Sequence, residues 1–192
     1  MRTRKLTTIA LLSAIAFILM VFASFPLIPS VPFLKIDLSF LPIFIGAMMM
    51  DLKSGYAILM VRSILKLLLN NGGVNDYIGL PMNIVAFAVL LTIMVLALRH
   101  KTGETWVKTL IAVVGGTAAL TVLMVALNYF YAVPLYAIFA NIDIAKSFGL
   151  FNYLIAAVVP FNLLEGVILS VLALLIQVPV QRALKSRAIE KI

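Results

Sequence analysis

The chain has no cysteine and one histidine, His100. The first absence excludes disulfides, thiolate metal sites and a cysteine nucleophile. The second excludes the paired-histidine motifs of zinc peptidases. Charge is also scarce: charged residues make up 11% of the 192, with 7 Asp and Glu against 15 Lys and Arg. Soluble chains average about 25% charged and about 45–50% apolar. There is no glycine-rich phosphate cradle, no Walker-type sequence and no Ser/His/Asp set. Any work done against a gradient must therefore draw its energy from elsewhere, and no metal site is expected.

What the chain has is apolar surface. Hydrophobic residues are 64% of the total and mean hydropathy is +1.18. Long apolar runs make it an all-α, polytopic membrane protein, with residues 1–192 as a single integral membrane domain. A formal net charge of +8 in a soluble chain would suggest nucleic acid. Here the cations lie at the ends of apolar runs, so they orient the chain in the bilayer and no nucleic-acid partner is expected. The N-terminal apolar run, Leu6 to Phe25, follows basic residues like a signal peptide but is as long as a spanning helix, so it reads as a retained first helix.

Six helices are predicted, over about 6–25, 38–51, 54–70, 78–98, 107–131 and 151–181. The first stops before "PLIPSVP", where Pro26, Pro29 and Pro32 impose extended geometry. The second is short for a full span and reads as tilted or partly re-entrant. The third ends at "NNGG". The sixth carries Pro160 and Pro179, so a kink is expected near Pro160. With the N-terminus inside, the inner segments hold Arg2, Arg4, Lys5, Lys53, Arg99, Lys101, Lys108, Arg182, Lys185, Arg187 and Lys191, and the outer loops only Lys35 and Lys146. That asymmetry puts both termini in the cytoplasm. It puts the 131–150 loop and the stretch "VPFLKIDLSFLPIFIG" (31–46) outside.

Few residues are left to carry chemistry. Arg62 and Lys66 share a face of the third helix. Lys66, about a turn from its outer end, reads as a snorkelling cation. Arg62 is deeper and needs a partner. Glu165 is the only acid deep in a helix, so an Arg62–Glu165 pair is the structural expectation. Asn83, Asn128 and Asn162 are amides in the fourth, fifth and sixth helices. Either they bond helix to helix, or they read the hydrogen-bonding edges of a polar ligand. Tyr129 and Tyr131 near Asn128, and Phe161 beside Asn162, suit a flat heteroaromatic ring better than an ion. Ala10 and Ala14 place small residues one turn apart on the first helix, a face that admits another helix closely, inside the bundle or on a partner. "GGTAALT" (115–121) offers a second such face, assigned to internal packing.

The "PFLKID" loop leading into "LPIFIG", the "NY" at 128–129 and "PFNLLEG" at 160–166 resemble the substrate-binding S components of energy-coupling-factor (ECF) vitamin transporters. Within that family the chain is most similar to the riboflavin-specific members. The overall resemblance spans essentially the whole chain. It implies a non-catalytic, six-helix protein of the cell membrane that captures riboflavin from outside as a transported ligand and uses no cofactor. Its partners would be a transmembrane coupling protein, docked through Ala10 and Ala14, and two cytoplasmic ATPases. The implied pocket draws on Phe33, Leu34, Lys35 and Asp37 from a lid loop and on Asn128 and Asn162. Glu165 stands where the riboflavin pattern has a lysine. It is counted with the pocket, as a ligand contact or as the partner of Arg62. Other readings of the residues are an S component for another vitamin, an intramembrane enzyme using Glu165, and a passive small-solute channel.

Overall fold

A computed structural model of the chain describes residues 2–28, 34–100 and 103–189. Helix α1 is Arg2–Phe22, α2 Phe40–Met49, α3 Leu52–Leu69 and α4 Val74–Arg99. Helix α5 runs without a break over Thr105–Phe139. A short α6, Ile144–Phe148, precedes the long α7 of residues 150–189. Four helices, α1, α4, α5 and α7, are long and apolar enough to cross a membrane. Helix α3 is long enough, at 18 residues, but carries Lys53, Arg62 and Lys66. Helix α2, with 10 residues, rises about 15 Å. That is half the thickness of a hydrocarbon core of about 30 Å.

The expected all-α architecture holds with one addition. Ser24–Pro26 (β1) and Lys35–Asp37 (β2) pair antiparallel, with Phe25 opposite Ile36. The proline-rich connection between α1 and α2 is thus a two-stranded ribbon at its base. Helix α5 is longer than predicted. The sequence reading stopped it at 131, yet Pro134 lies inside it. A π turn over Asn128–Ala132 widens the backbone just before the proline. The following segment then starts with Pro134 in its first turn, where a missing N–H is tolerated. Where a kink is expected near Pro160, the structure has a π turn just before it, over Leu154–Val158.

Charged contacts at the helix ends and small residues between helices fix the bundle. Asp51 caps α3 by accepting from the Ser54 N–H at 2.8 Å, and Lys5 at the start of α1 pairs with it at 2.6 Å. Arg99 at the end of α4 donates to the carbonyls of Ala47 (2.6 Å) and Met48 (3.2 Å), so it covers the orphan carbonyls at the C-terminus of α2. Internal packing by "GGTAALT" is what the structure shows: Gly116, Thr117, Leu120 and Thr121 are buried. A Cβ on Gly166 of α7 would stand 2.7 Å from Thr117 Oγ1 and 3.0 Å from its Cα, so α5 and α7 meet almost backbone to backbone. At the opposite end of the bundle Lys66 pairs with Asp76 across 2.5 Å and donates to the carbonyl of Asn70 at the end of α3.

Candidate functional site

A cavity of about 90 Å³ opens at the ribbon end of the bundle. Its walls come from the start of α4 (Gly79, Met82, Asn83, Ala86), the second half of α5 (Met124, Asn128, Ala132, Tyr136) and the first half of α7 (Tyr153, Phe161, Asn162, Glu165). Leu34 and Lys35 form its edge. Arg99 and Lys108 lie at the far ends of α4 and α5 from the cavity, and Arg4, Lys5 and Lys53 at the starts of α1 and α3.

Two of the three π turns among the described residues shape the walls. Each adds a residue to one turn and so rotates the residues that follow, a device frequent at functional sites. One begins at Asn128 and the other ends four residues before Asn162. Both asparagines are buried, and both tie their amide N–H to the preceding turn: Asn128 Nδ2 donates to the Met124 carbonyl (2.8 Å) and Asn162 Nδ2 to that of Val158 (2.7 Å). Their oxygens differ. Asn128 Oδ1 accepts from the Tyr153 hydroxyl at 2.8 Å. Asn162 Oδ1 is buried without a partner, an acceptor that a ligand N–H or O–H would satisfy. Asn83 also lines the cavity. It accepts from Arg62 Nη2 at 2.9 Å and donates from Nδ2 to Asp37 Oδ2 at 3.2 Å.

The sequence-predicted residues separate accordingly. Leu34, Lys35, Asn128, Asn162 and Glu165 come together on the cavity. Asp37 does not border it. Its buried carboxylate accepts from the Ser39 N–H (2.9 Å) and from Asn83, so it supports a wall residue. Phe33 lies outside the described residues. The expected Arg62–Glu165 pair is absent. Arg62 is fully buried, and its other fork nitrogen, Nη1, donates to Met20 Sδ (2.7 Å). Its guanidinium lies 5.3 Å from the Phe87 ring centre, in cation–π range. The ion pairs of the described residues are Lys5–Asp51, Lys66–Asp76 and Asp143–Lys146.

Sequence reasoning named the wrong tyrosines. Tyr129 is 46% exposed and neither it nor Tyr131 borders the cavity; Tyr136 and Tyr153 do. Tyr136 was hidden in a segment read as loop. Asn83, half-buried in the structure, was read as an amide of the fourth helix but not assigned to the site, because the residue that holds it, Asp37, is 46 positions away. Ala10 and Ala14 are both exposed on α1, while Ser13 and Ala16 of the same helix are buried in the bundle. The small-residue face therefore points outward.

The comparisons agree with this geometry. A solved structure of the S component of a bacterial ECF transporter superimposes with a TM-score of 0.73 at 27% identity, covering 96% of this chain and 99% of that one. The riboflavin transporter RibU of Streptococcus thermophilus is 54% identical over 182 residues, 95% of this chain and 85% of the relative. RibU of Lactococcus lactis subsp. cremoris is 36% identical over 87% of this chain and 88% of its own length. The riboflavin transporter FmnP of Bacillus subtilis is 30% identical over 92% and 91%. The family model for the substrate-specific component of ECF transporters matches residues 4–177, and the chain belongs to that family.

Proposed function

We propose that the chain is the riboflavin-binding subunit of an ECF importer in the cell membrane. The observation that carries the reading is the cavity itself. Tyr136, Tyr153 and Phe161 supply flat apolar surface, and three amides with fixed partners supply directed donors and an acceptor. A ring system with an imide edge meets both kinds of wall. The relatives named for riboflavin support the same substrate.

The cation asymmetry makes the cation-rich end cytoplasmic, so the cavity faces outward with both termini inside. Leu34 and Lys35 then belong to an external lid with Phe33, and Glu165 lines the cavity one turn along α7 from Asn162. Small-molecule pockets enclose roughly 300–1,000 Å³, so a three-ring ligand needs more room than the cavity of about 90 Å³ gives. The exposed Ala10–Ala14 face docks on a transmembrane coupling protein, and two cytoplasmic ATPases provide the energy that this chain has no residues to extract. Riboflavin is cargo, and no cofactor takes part.

The test is a fluorescence titration of the purified protein with riboflavin. Quenching at about 1:1 is expected, since aromatic side chains enclose the ring. Tight binding of another vitamin with no flavin quenching would leave the family standing and remove the substrate.

A further inference from the structure

Neither Arg62 nor Asp37 borders the cavity, yet both hold the side chain of Asn83, which does. The three groups come from α3, α4 and strand β2. Their chemistry admits one orientation of the amide. Arg62 has only donors to offer, so Asn83 must present its oxygen there. A carboxylate has only acceptors, so Asn83 must present its NH₂ to Asp37. Turning the amide over would set N–H against N–H on one side and oxygen against carboxylate on the other. The anchors are themselves held. Asp37 accepts from the Ser39 N–H through its other oxygen (2.9 Å), and Arg62 is fixed by Met20 and Phe87. Asn83 Nδ2 uses one proton on Asp37 and keeps one.

Resting on the riboflavin reading, we propose that Arg62 and Asp37 are positioning residues that lock Asn83 as a hydrogen-bond donor to a carbonyl of the bound ligand. This gives the cavity a fixed polarity: a donor at Asn83 on α4, and an acceptor at the unpartnered Oδ1 of Asn162 on α7. A ring edge that carries both carbonyl and N–H groups satisfies both walls. The same relay ties strand β2 to the interior of the bundle, so ribbon and donor are set by one set of bonds.

The test is a double-mutant cycle on riboflavin affinity with Asp37→Asn and Asn83→Ala. In Asp37→Asn the Ser39 N–H retains the side-chain oxygen, so an NH₂ replaces the acceptor that faces Asn83. The amide loses its anchor without loss of volume. Asp37→Asn should weaken binding about tenfold, the order expected for one misdirected hydrogen bond in a dry site, and should have no further effect once Asn83 is alanine. Additive losses would overturn the proposal. A second readout is the infrared carbonyl stretch of bound riboflavin, which should rise in both single variants as a hydrogen bond to the carbonyl is lost. An unchanged stretch in Asn83→Ala overturns the proposal even if Asp37→Asn fails to fold. Wild-type protein that does not bind riboflavin removes the substrate reading instead, and is recognised before any variant is compared.

Discussion

The hydroxyl of Tyr153 donates to Asn128 Oδ1 across 2.8 Å, joining α7 to α5 at the cavity wall. With its Nδ2 committed to the Met124 carbonyl, Asn128 has its oxygen occupied and one N–H left for the cavity. Tyr153→Phe keeps the ring but lets the amide rotate. Flavin affinity should fall by about 1 kcal/mol, the net worth of one hydrogen bond. Fluorescence titration beside wild type measures it. Unchanged affinity would show that Asn128 needs no second anchor.

Asn162 should matter more. Its Oδ1 is buried and unpartnered among the protein's own groups, so the ligand is the partner left to satisfy it. Asn162→Leu removes that acceptor and leaves the ligand's donor unpaired, which should weaken binding by roughly 1–3 kcal/mol. Insertion and thermal stability should be retained, because no other helix depends on this side chain for a hydrogen bond. Binding as tight as wild type would make Asn162 a spacer in α7.

These two asparagines were legible in the sequence because amides are conspicuous in apolar helices. So were the helices, four of which lie in apolar runs long enough to cross a membrane. Three things were not legible. The π turns carry no sequence signal of their own, and with them went the length of α5 and the inward rotation of Tyr136. The ribbon of β1 and β2 is three residues a side, too short for a period to show. The partner of Arg62 was misread for an electrostatic reason. Charge balance favours Glu165, whereas in the structure the two fork nitrogens donate to a thioether and an amide and the guanidinium lies by an aromatic ring, and Asn83 then passes the contact to Asp37. Pairing through an intermediate is invisible to a search for opposite charges.

Gly166 and Gly115 should respond differently to alanine. At Gly166 the new methyl would meet the Cα of Thr117 at 3.0 Å, and backbone cannot swing aside; at Gly115 the nearest atoms are side chains at 3.8 and 3.9 Å. Gly166→Ala should destabilise the protein by about 1–3 kcal/mol through overpacking, and Gly115→Ala should be neutral. Thermal unfolding in detergent, followed for both, decides. Equal melting temperatures would mean that α5 and α7 part freely.

The Lys5–Asp51 pair links α1 to the cap of α3, and it gives stability a defined pH dependence. The hydrogen bond from Lys5, followed by those from Ser54, lowers the Asp51 pKa from 3.8 to about 2. The folded value is depressed, so the contribution is present above the unfolded pKa and is lost as pH falls through the window from 3.8 to about 2. Asp51→Asn removes it at every pH. The melting-temperature gap between wild type and Asp51→Asn should therefore narrow across that window and stay constant above it. A gap that does not change with pH would show that the cap works without the charge.

Helix α1 offers the means to separate capture from transport. Ala10 and Ala14 are exposed and stand one turn apart, so a partner helix approaching there comes close to the backbone. A tryptophan at 14 projects into that space and holds the partner off by more than packing tolerates. The cavity is lined by α4, α5, α7 and the ribbon edge, with no residue of α1 among its walls. The bundle-facing residues of α1, such as Ser13 and Ala16, are untouched by the change. Ala14→Trp should therefore keep riboflavin affinity within a few-fold, less than the ~1.4 kcal/mol of a tenfold change. It should abolish co-purification with the coupling protein and ATP-driven uptake. Pull-down from detergent, uptake in cells and titration are made on the same variant. Intact pull-down and uptake would mean that the coupling protein docks on another face. Loss of riboflavin binding together with pull-down would mean that α1 supports the cavity from a distance, so that capture and docking cannot be separated at this helix.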